Sequence, residues 1–153
     1  MNENLPLSLL NIQKAQTIEE LKDCNELTVN DGLYLSDNAI MEIAERRIAS
    51  LKNTGRVEFK KGILKKLILE FCDSPFIMQE NYEETILELQ DSFYYFKNES
   101  QDKIPDDELL SFMKKYFDGK CQGSLEYLSG TSLEDLCRNT RYGYETDDDE
   151  ALF

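Results

Sequence analysis

The chain has 153 residues, and its 31 Asp and Glu against 17 Lys and Arg give a formal charge of −14 and a pI near 4.4. Hydrophobic residues at 41% and charged ones at 31% make a globular composition, and a chain of this size buries roughly 68–70% of its unfolded surface without needing metal or disulfide staples. The charge argues against general nucleic-acid binding, which needs a net positive surface. The absence of histidine removes Ser-His-Asp and Cys-His catalysis and histidine metal sites.

No segment is apolar enough to span a bilayer. Runs such as Leu67-Ile68-Leu69 and Phe93 to Phe96 fall far below the ~20 residues required. Leu5 to Leu10 is short, interrupted and preceded by Glu3 without Lys or Arg, unlike a secretory signal. A cytoplasmic address with reduced thiols is the expectation. The cysteines, Cys24, Cys72, Cys121 and Cys137, contain no C-x2-4-C pair of the kind zinc sites use. No metal or cofactor is expected. Cys24 and Cys72 fall on apolar faces of predicted helices, as buried thiols do.

In chain order, Thr17-Ile-Glu-Glu20 reads as a capping box. It predicts a helix from there to about Val29, closed before Asn30-Asp31-Gly32. Ser36 is an N-cap for a second helix, with Ile40, Ile43, Ala44, Ile48 and Leu51 on one face and Asn53-Thr54-Gly55 at its end. Residues 56–60 alternate polar and apolar, which allows one short strand or hairpin. From Ile63 the period is helical again through Leu64, Leu67, Ile68, Phe71 and Cys72, and Asp73-Ser74-Pro75 stops it.

Tyr82, Ile86, Leu89, Phe93 and Phe96 form a seam of about two heptads. Two heptads are too few for a coiled coil and predict a central bundle helix, its apolar arc widened by Tyr94 and Tyr95. Ile104-Pro105-Asp106-Asp107-Glu108 opens another helix, with acids in the dipole-favoured first turn. That helix carries Leu109, Met113, Tyr116 and Phe117 and ends at Gly119. Cys121 to Leu128 predicts a turn or two of helix, and Thr131-Ser-Leu-Glu134 is a second capping box for a last short helix. The predicted architecture is mainly α: about six helices on one core over residues 1–140, and a disordered acidic tail over 141–153.

Four runs carry a resemblance as a set: Gly55-Arg-Val-Glu-Phe59, Phe71-Cys-Asp-Ser-Pro75, Phe93-Tyr-Tyr-Phe-Lys-Asn-Glu99 and Cys121-Gln-Gly-Ser-Leu-Glu-Tyr-Leu128. The chain resembles a family of small proteins of unknown function from Gram-positive anaerobic bacteria. The similarity covers about residues 1–140 and implies a bacterial origin but no reaction, ligand or site.

Charge is polarised along the chain. Between Arg46 and Lys66 there are eight basic residues (Arg46, Arg47, Lys52, Arg56, Lys60, Lys61, Lys65 and Lys66) and one acid, Glu58. Beside the Gly55 and Gly62 turns, this run is a candidate site for a phosphate, a carboxylate or an acidic partner surface. It equally suits the solvated face of two helices. No Walker or Rossmann glycine pattern accompanies it.

The opposite pole is Glu145-Thr-Asp-Asp-Asp-Glu150-Ala-Leu-Phe153. It is similar in layout to the acidic tail of bacterial single-stranded-DNA-binding proteins, with Asp147, Asp148, Asp149 and Phe153 as candidate recognition residues. Ala-Leu stands where that tail usually has isoleucine-proline, and no OB barrel precedes it. Folding of the tail onto the Arg46–Lys66 segment is one further expectation. No EF-hand loop is present, and Glu83, Glu84 and Glu88 read as a solvated face.

The leading expectation is a non-enzymatic interaction or regulatory protein that binds another protein. Alternatives are a small anionic-ligand domain centred on Arg56, Lys60 and Lys61, and an acidic mimic of nucleic acid.

Overall fold

The computed structural model describes residues 7–58, 62–130 and 132–141. Among them the architecture is helical, with no strand. Helix α1 (Leu7–Thr28) is followed by α2 (Asp37–Asn53), α3 (Leu64–Phe71), α4 (Tyr82–Glu99), α5 (Asp106–Asp118), α6 (Leu125–Ser129) and α7 (Ser132–Arg141). None is long and apolar enough to cross a membrane. Residues 56–58 are irregular, while Phe59 and Lys60 of the expected strand lie outside the described residues.

The start of α1 corrects the sequence reading. Thr17 lies inside the helix, where its Oγ1 donates to the carbonyl of Gln13 at 2.9 Å, the back-bond typical of threonine in mid-helix. The inward face of this stretch is Gln13, Thr17 and Glu20, all buried. An apolar period therefore cannot reveal it. Leu21, Cys24 and Thr28 continue the face more conventionally.

Gly32, at φ 80, turns the chain out of α1, a conformation glycine adopts without strain. Residues 33–35 then run extended beside the helix. Leu33 exchanges bonds with Thr28 (N to the Thr28 carbonyl 3.1 Å; Thr28 Oγ1 to the Leu33 carbonyl 2.9 Å). The side-chain amide of Asn25 meets Leu35 N and O at 2.8 and 2.9 Å. On the opposite edge the Gln79 amide meets Tyr34 N and O, both at 2.8 Å. Ser36 caps α2 by accepting from Ala39 N at 3.1 Å, as predicted. On α2 the structure buries Arg47 and Ser50 beside Ile40, Ile43, Ala44 and Leu51, and Ile48 is only half-buried.

Helix α4 is central and packs against α2, α3, α5, α6 and α7. Every residue of its predicted seam is buried. Tyr94 is buried too, but Tyr95 is 40% exposed and donates its hydroxyl to Glu134 on α7. The turn into α5 has Gln101 and Asp102 at φ 54 and 60, sparsely populated for such residues. Buried Lys97 holds it, donating to the Ile104 carbonyl at 2.6 Å and pairing with Asp106 at 2.8 Å. Phe117 lies edge-on between Phe71 and Phe76, at 5.6 and 6.3 Å. Gly123 lets Phe76 approach: a Cβ there would sit 2.6 Å from the Phe76 Cβ. Buried side chains of all seven helices form one cluster.

Candidate functional site

Four members of the basic run, Arg46, Arg47, Arg56 and Lys66, meet acids within the fold. Arg46 on α2 pairs with Asp91 on α4 at 2.7 Å, and Ser50 donates to the same carboxylate. Arg56 lays its fork on Asp102 at 2.6 and 3.2 Å and reaches Asn98 Oδ1 at 2.8 Å. Asn98 in turn donates to the Thr54 carbonyl at 2.7 Å. Hydrogen bonding from Arg56 is the main reason the Asp102 carboxyl is held below the usual carboxylate range. Lys66 meets Asp107 at 3.1 Å. Lys65 is exposed. Lys60 and Lys61 lie outside the described residues, as do Asp147, Asp148, Asp149 and Phe153 of the acidic terminus, and with them the expected fold-back of the tail.

Arg47 is the residue around which a real constellation forms. Its side chain is only 3% exposed. Nη2 and Nε donate to Glu58 Oε1 at 2.9 and 3.3 Å, and Nη1 donates to Thr17 Oγ1 at 2.9 Å. The same Glu58 oxygen accepts the Tyr94 hydroxyl at 2.8 Å, while the Glu58 carbonyl accepts from Gln13 Nε2. Burial first, and then the neighbouring Glu58 carboxylate, push the Tyr94 phenol far above its ordinary range. Gly62 packs directly over the pair: a Cβ would stand 2.7 Å from Arg47 Nε and 2.8 Å from Glu58 Oε1. Glu58 is thus tied to α2 and α4 through one carboxylate oxygen and to α1 through its carbonyl.

Geometry of this kind fixes a chain segment more readily than it performs chemistry. The guanidinium has its donors engaged, and a buried ion pair is weak evidence of net stability but costly to break. Glu58 was visible in the sequence as the single acid of the basic run. Gln13 gave no such signal, Thr17 read as a helix cap, and Tyr94 read only as part of an apolar arc, because a hydroxyl or amide on a helix face does not reveal its partner.

Other titratable groups are modestly placed. Glu83 and Glu42 approach each other, and the hydrogen bond between them leads the rise of the Glu83 carboxyl. Glu84 and Glu88 are exposed. A shallow groove of about 270 Å3 is lined by Glu42, Glu45, Arg46, Ala49 and Leu87. Among the described residues no three His, Cys, Asp or Glu side chains converge as a metal site would require. All four cysteines are free. Burial raises Cys24 to about 11 and Cys137 to about 12, and it raises Cys72 as well. Thiols so shifted stay protonated and are poor nucleophiles at neutral pH.

These features define an acidic all-helical protein whose inner polar contacts brace its connections. The sequence profile of DUF6323, a family of unknown function, matches residues 20–146. The chain belongs to that family. No curated protein and no solved structure matches it.

Proposed function

We propose that the chain is a non-enzymatic protein-interaction or regulatory domain whose partner presents a basic surface. One observation carries the reading: among the described residues, four cations of the basic run are neutralised within the fold, whereas many carboxylates are not. Arg46, Arg47, Arg56 and Lys66 each meet an acid. Asp23, Glu26, Asp31, Asp37 and Glu80 are exposed, and none is in an ion pair among the described residues. Uncompensated carboxylates on a chain of −14 steer a basic partner and raise its on-rate. An anion site at Arg56, Lys60 and Lys61 is the weaker reading, since Asp102 and Asn98 already fill the Arg56 fork.

The test is affinity capture of the tagged protein from its source organism, with and without residues 142–153. The expected result is a stoichiometric basic partner, released as salt rises well past the ~0.1 M at which the Debye length is about 10 Å. Retention by the truncated chain places recognition on the helical body, and loss places it on the terminus. A stable partner that is acidic, or that resists salt, overturns the proposal.

A further inference from the structure

We infer that one end of the molecule, where the last turn of α1, residues 29–35, the last turn of α3 and the 72–81 connection meet, docks a basic amphipathic helix of a partner protein. This rests on the interaction reading above and gives it a place and a partner chemistry.

The first observation is apolar exposure. Leu27, Val29, Tyr34, Leu69 and Met78 are each between 42% and 56% exposed, and contacts between their segments bring them together. Helices α1 and α3 pack against each other, and Cys72, which bonds the Leu69 carbonyl at 3.6 Å, has Asp31 of the turn after α1 as an electrostatic neighbour. The Gln79 amide on Tyr34 joins that turn to the 78–81 segment. Lys65 and Cys24 are electrostatic neighbours. Leu69 and Leu27, one helical turn further along α3 and α1, therefore flank the same seam. Among the described residues, half of the exposed large hydrophobic side chains are gathered here, and an exposed apolar group with a polar rim is the usual mark of an interaction site.

The second observation is the rim. Residues 22–38 and 69–81 hold seven acids (Asp23, Glu26, Asp31, Asp37, Glu70, Asp73 and Glu80) and one base, Lys22, and exposed Lys65 borders them on α3. Of these acids only Asp73 is in an ion pair among the described residues, with Lys114 at 2.7 Å. Like charge opposes docking of a second copy through this end, and it opposes the chain's own acidic terminus. A cationic occupant is favoured.

The third observation selects a helix over an added strand. Residues 33–35 are the extended segment here, and both their edges are closed by the Thr28, Asn25 and Gln79 bonds. No backbone ladder is left to extend, so recognition runs through side chains. Apolar anchors at i, i+3 or i+4, and i+7 on a helix, flanked by lysine or arginine, match an apolar seam inside an acidic rim.

The experiment titrates the full chain with two designed peptides of about 18 residues, five helical turns. They share one leucine face and carry lysine in one and glutamate in the other at all polar positions. Expected is binding of the lysine peptide alone. The exposed double variant Leu69→Ser/Met78→Ser should weaken it about tenfold or more, two lost apolar anchors being ample for that. A control, Ile12→Ser/Tyr127→Ser, alters exposed apolar residues elsewhere and should leave affinity within about twofold. Circular dichroism confirms that both variants fold. Equal weakening by the two variants, or equal binding of the two peptides, overturns the inference. A captured basic partner that ignores Leu69→Ser/Met78→Ser refutes this location yet leaves the interaction reading standing, whereas absence of any basic partner refutes the reading itself.

Discussion

Replacing Glu58 by Gln isolates the charge at the centre of the Arg47 constellation. The amide is nearly isosteric and keeps an oxygen to accept from Tyr94 and Arg47, so little packing changes. The buried guanidinium, 3% exposed, then loses its counter-charge. Hydrogen bonds to a charged group contribute about 1.5–3 kcal/mol and neutral ones about 0.5–1.5. Two donor groups, the Arg47 fork and the Tyr94 hydroxyl, are downgraded together. Complete removal of one partner from a buried pair costs about 3–5 kcal/mol, and Glu58 itself is 22% exposed, which screens part of the charge. A loss of about 2–3 kcal/mol follows for Glu58→Gln. In a chain of this size that lowers Tm by about 5–10 °C, at roughly 2–4 °C per kcal/mol. Urea and thermal unfolding of wild type, Glu58→Gln and Arg47→Met/Glu58→Gln measure it. The double variant should recover at least half of the loss, because the stranded charge is gone. A Glu58→Gln loss below about 0.5 kcal/mol would show that the pair is not formed, and a double variant worse than the single would refute the stranded-charge reasoning.

Other outcomes can be checked on the same material. Because Arg56 depresses the folded pKa of Asp102 below 3.8, their pairing is fully stabilising above the unfolded value of about 3.9 and vanishes as pH falls through the lower folded one. Stability curves of wild type and Arg56→Gln against pH should therefore differ near neutrality and converge in that acidic window, and a gap that persists below it contradicts the assignment. Gln90 is fully buried with neither amide atom hydrogen-bonded among the described residues. Gln90→Leu should stabilise by about 1–2 kcal/mol on removal of those polar groups, and destabilisation in urea unfolding would point to an internal water that satisfies them. Thiol labelling of the native protein should reach half-buried Cys72 first, with Cys24, Cys121 and Cys137 reacting only on unfolding; rapid modification of any of the three speaks against their burial.

What the sequence disclosed follows from which interactions repeat with a period. Helices α2 to α5 bury Leu, Ile, Phe and Tyr at three- and four-residue steps, and Ser36, Gly55 and Gly119 mark ends by local backbone chemistry, so both could be read directly. The first half of α1 was hidden because its inner face is Gln13, Thr17 and Glu20. A threonine three residues before a glutamate looks the same whether it caps a helix or back-bonds within one. The basic run was visible as a charge count, but what its members meet was not. Asp91 and Asp102 lie 45 and 46 residues from their arginines, and pairing at that distance depends on the packed arrangement of α2 against α4. Arg47 is the clearest case, since a charged residue at a buried helix position reads as solvent-facing until its counter-charge is located.

All six backbone polar groups of residues 33–35 are satisfied, five by side-chain atoms of Thr28, Asn25 and Gln79 and one by the Thr28 carbonyl, with Leu33 N and Tyr34 on opposite edges. An uncovered strand is where chains stack into fibrils, and here two amides close that opening with a single residue each. Chemical ageing is then the weak point. Hydrolysis of the Asn25 amide would set a carboxylate against the Leu35 carbonyl and leave it without its donor, at a cost of about 1–3 kcal/mol, and old protein would begin to aggregate from this edge before its helical core had loosened.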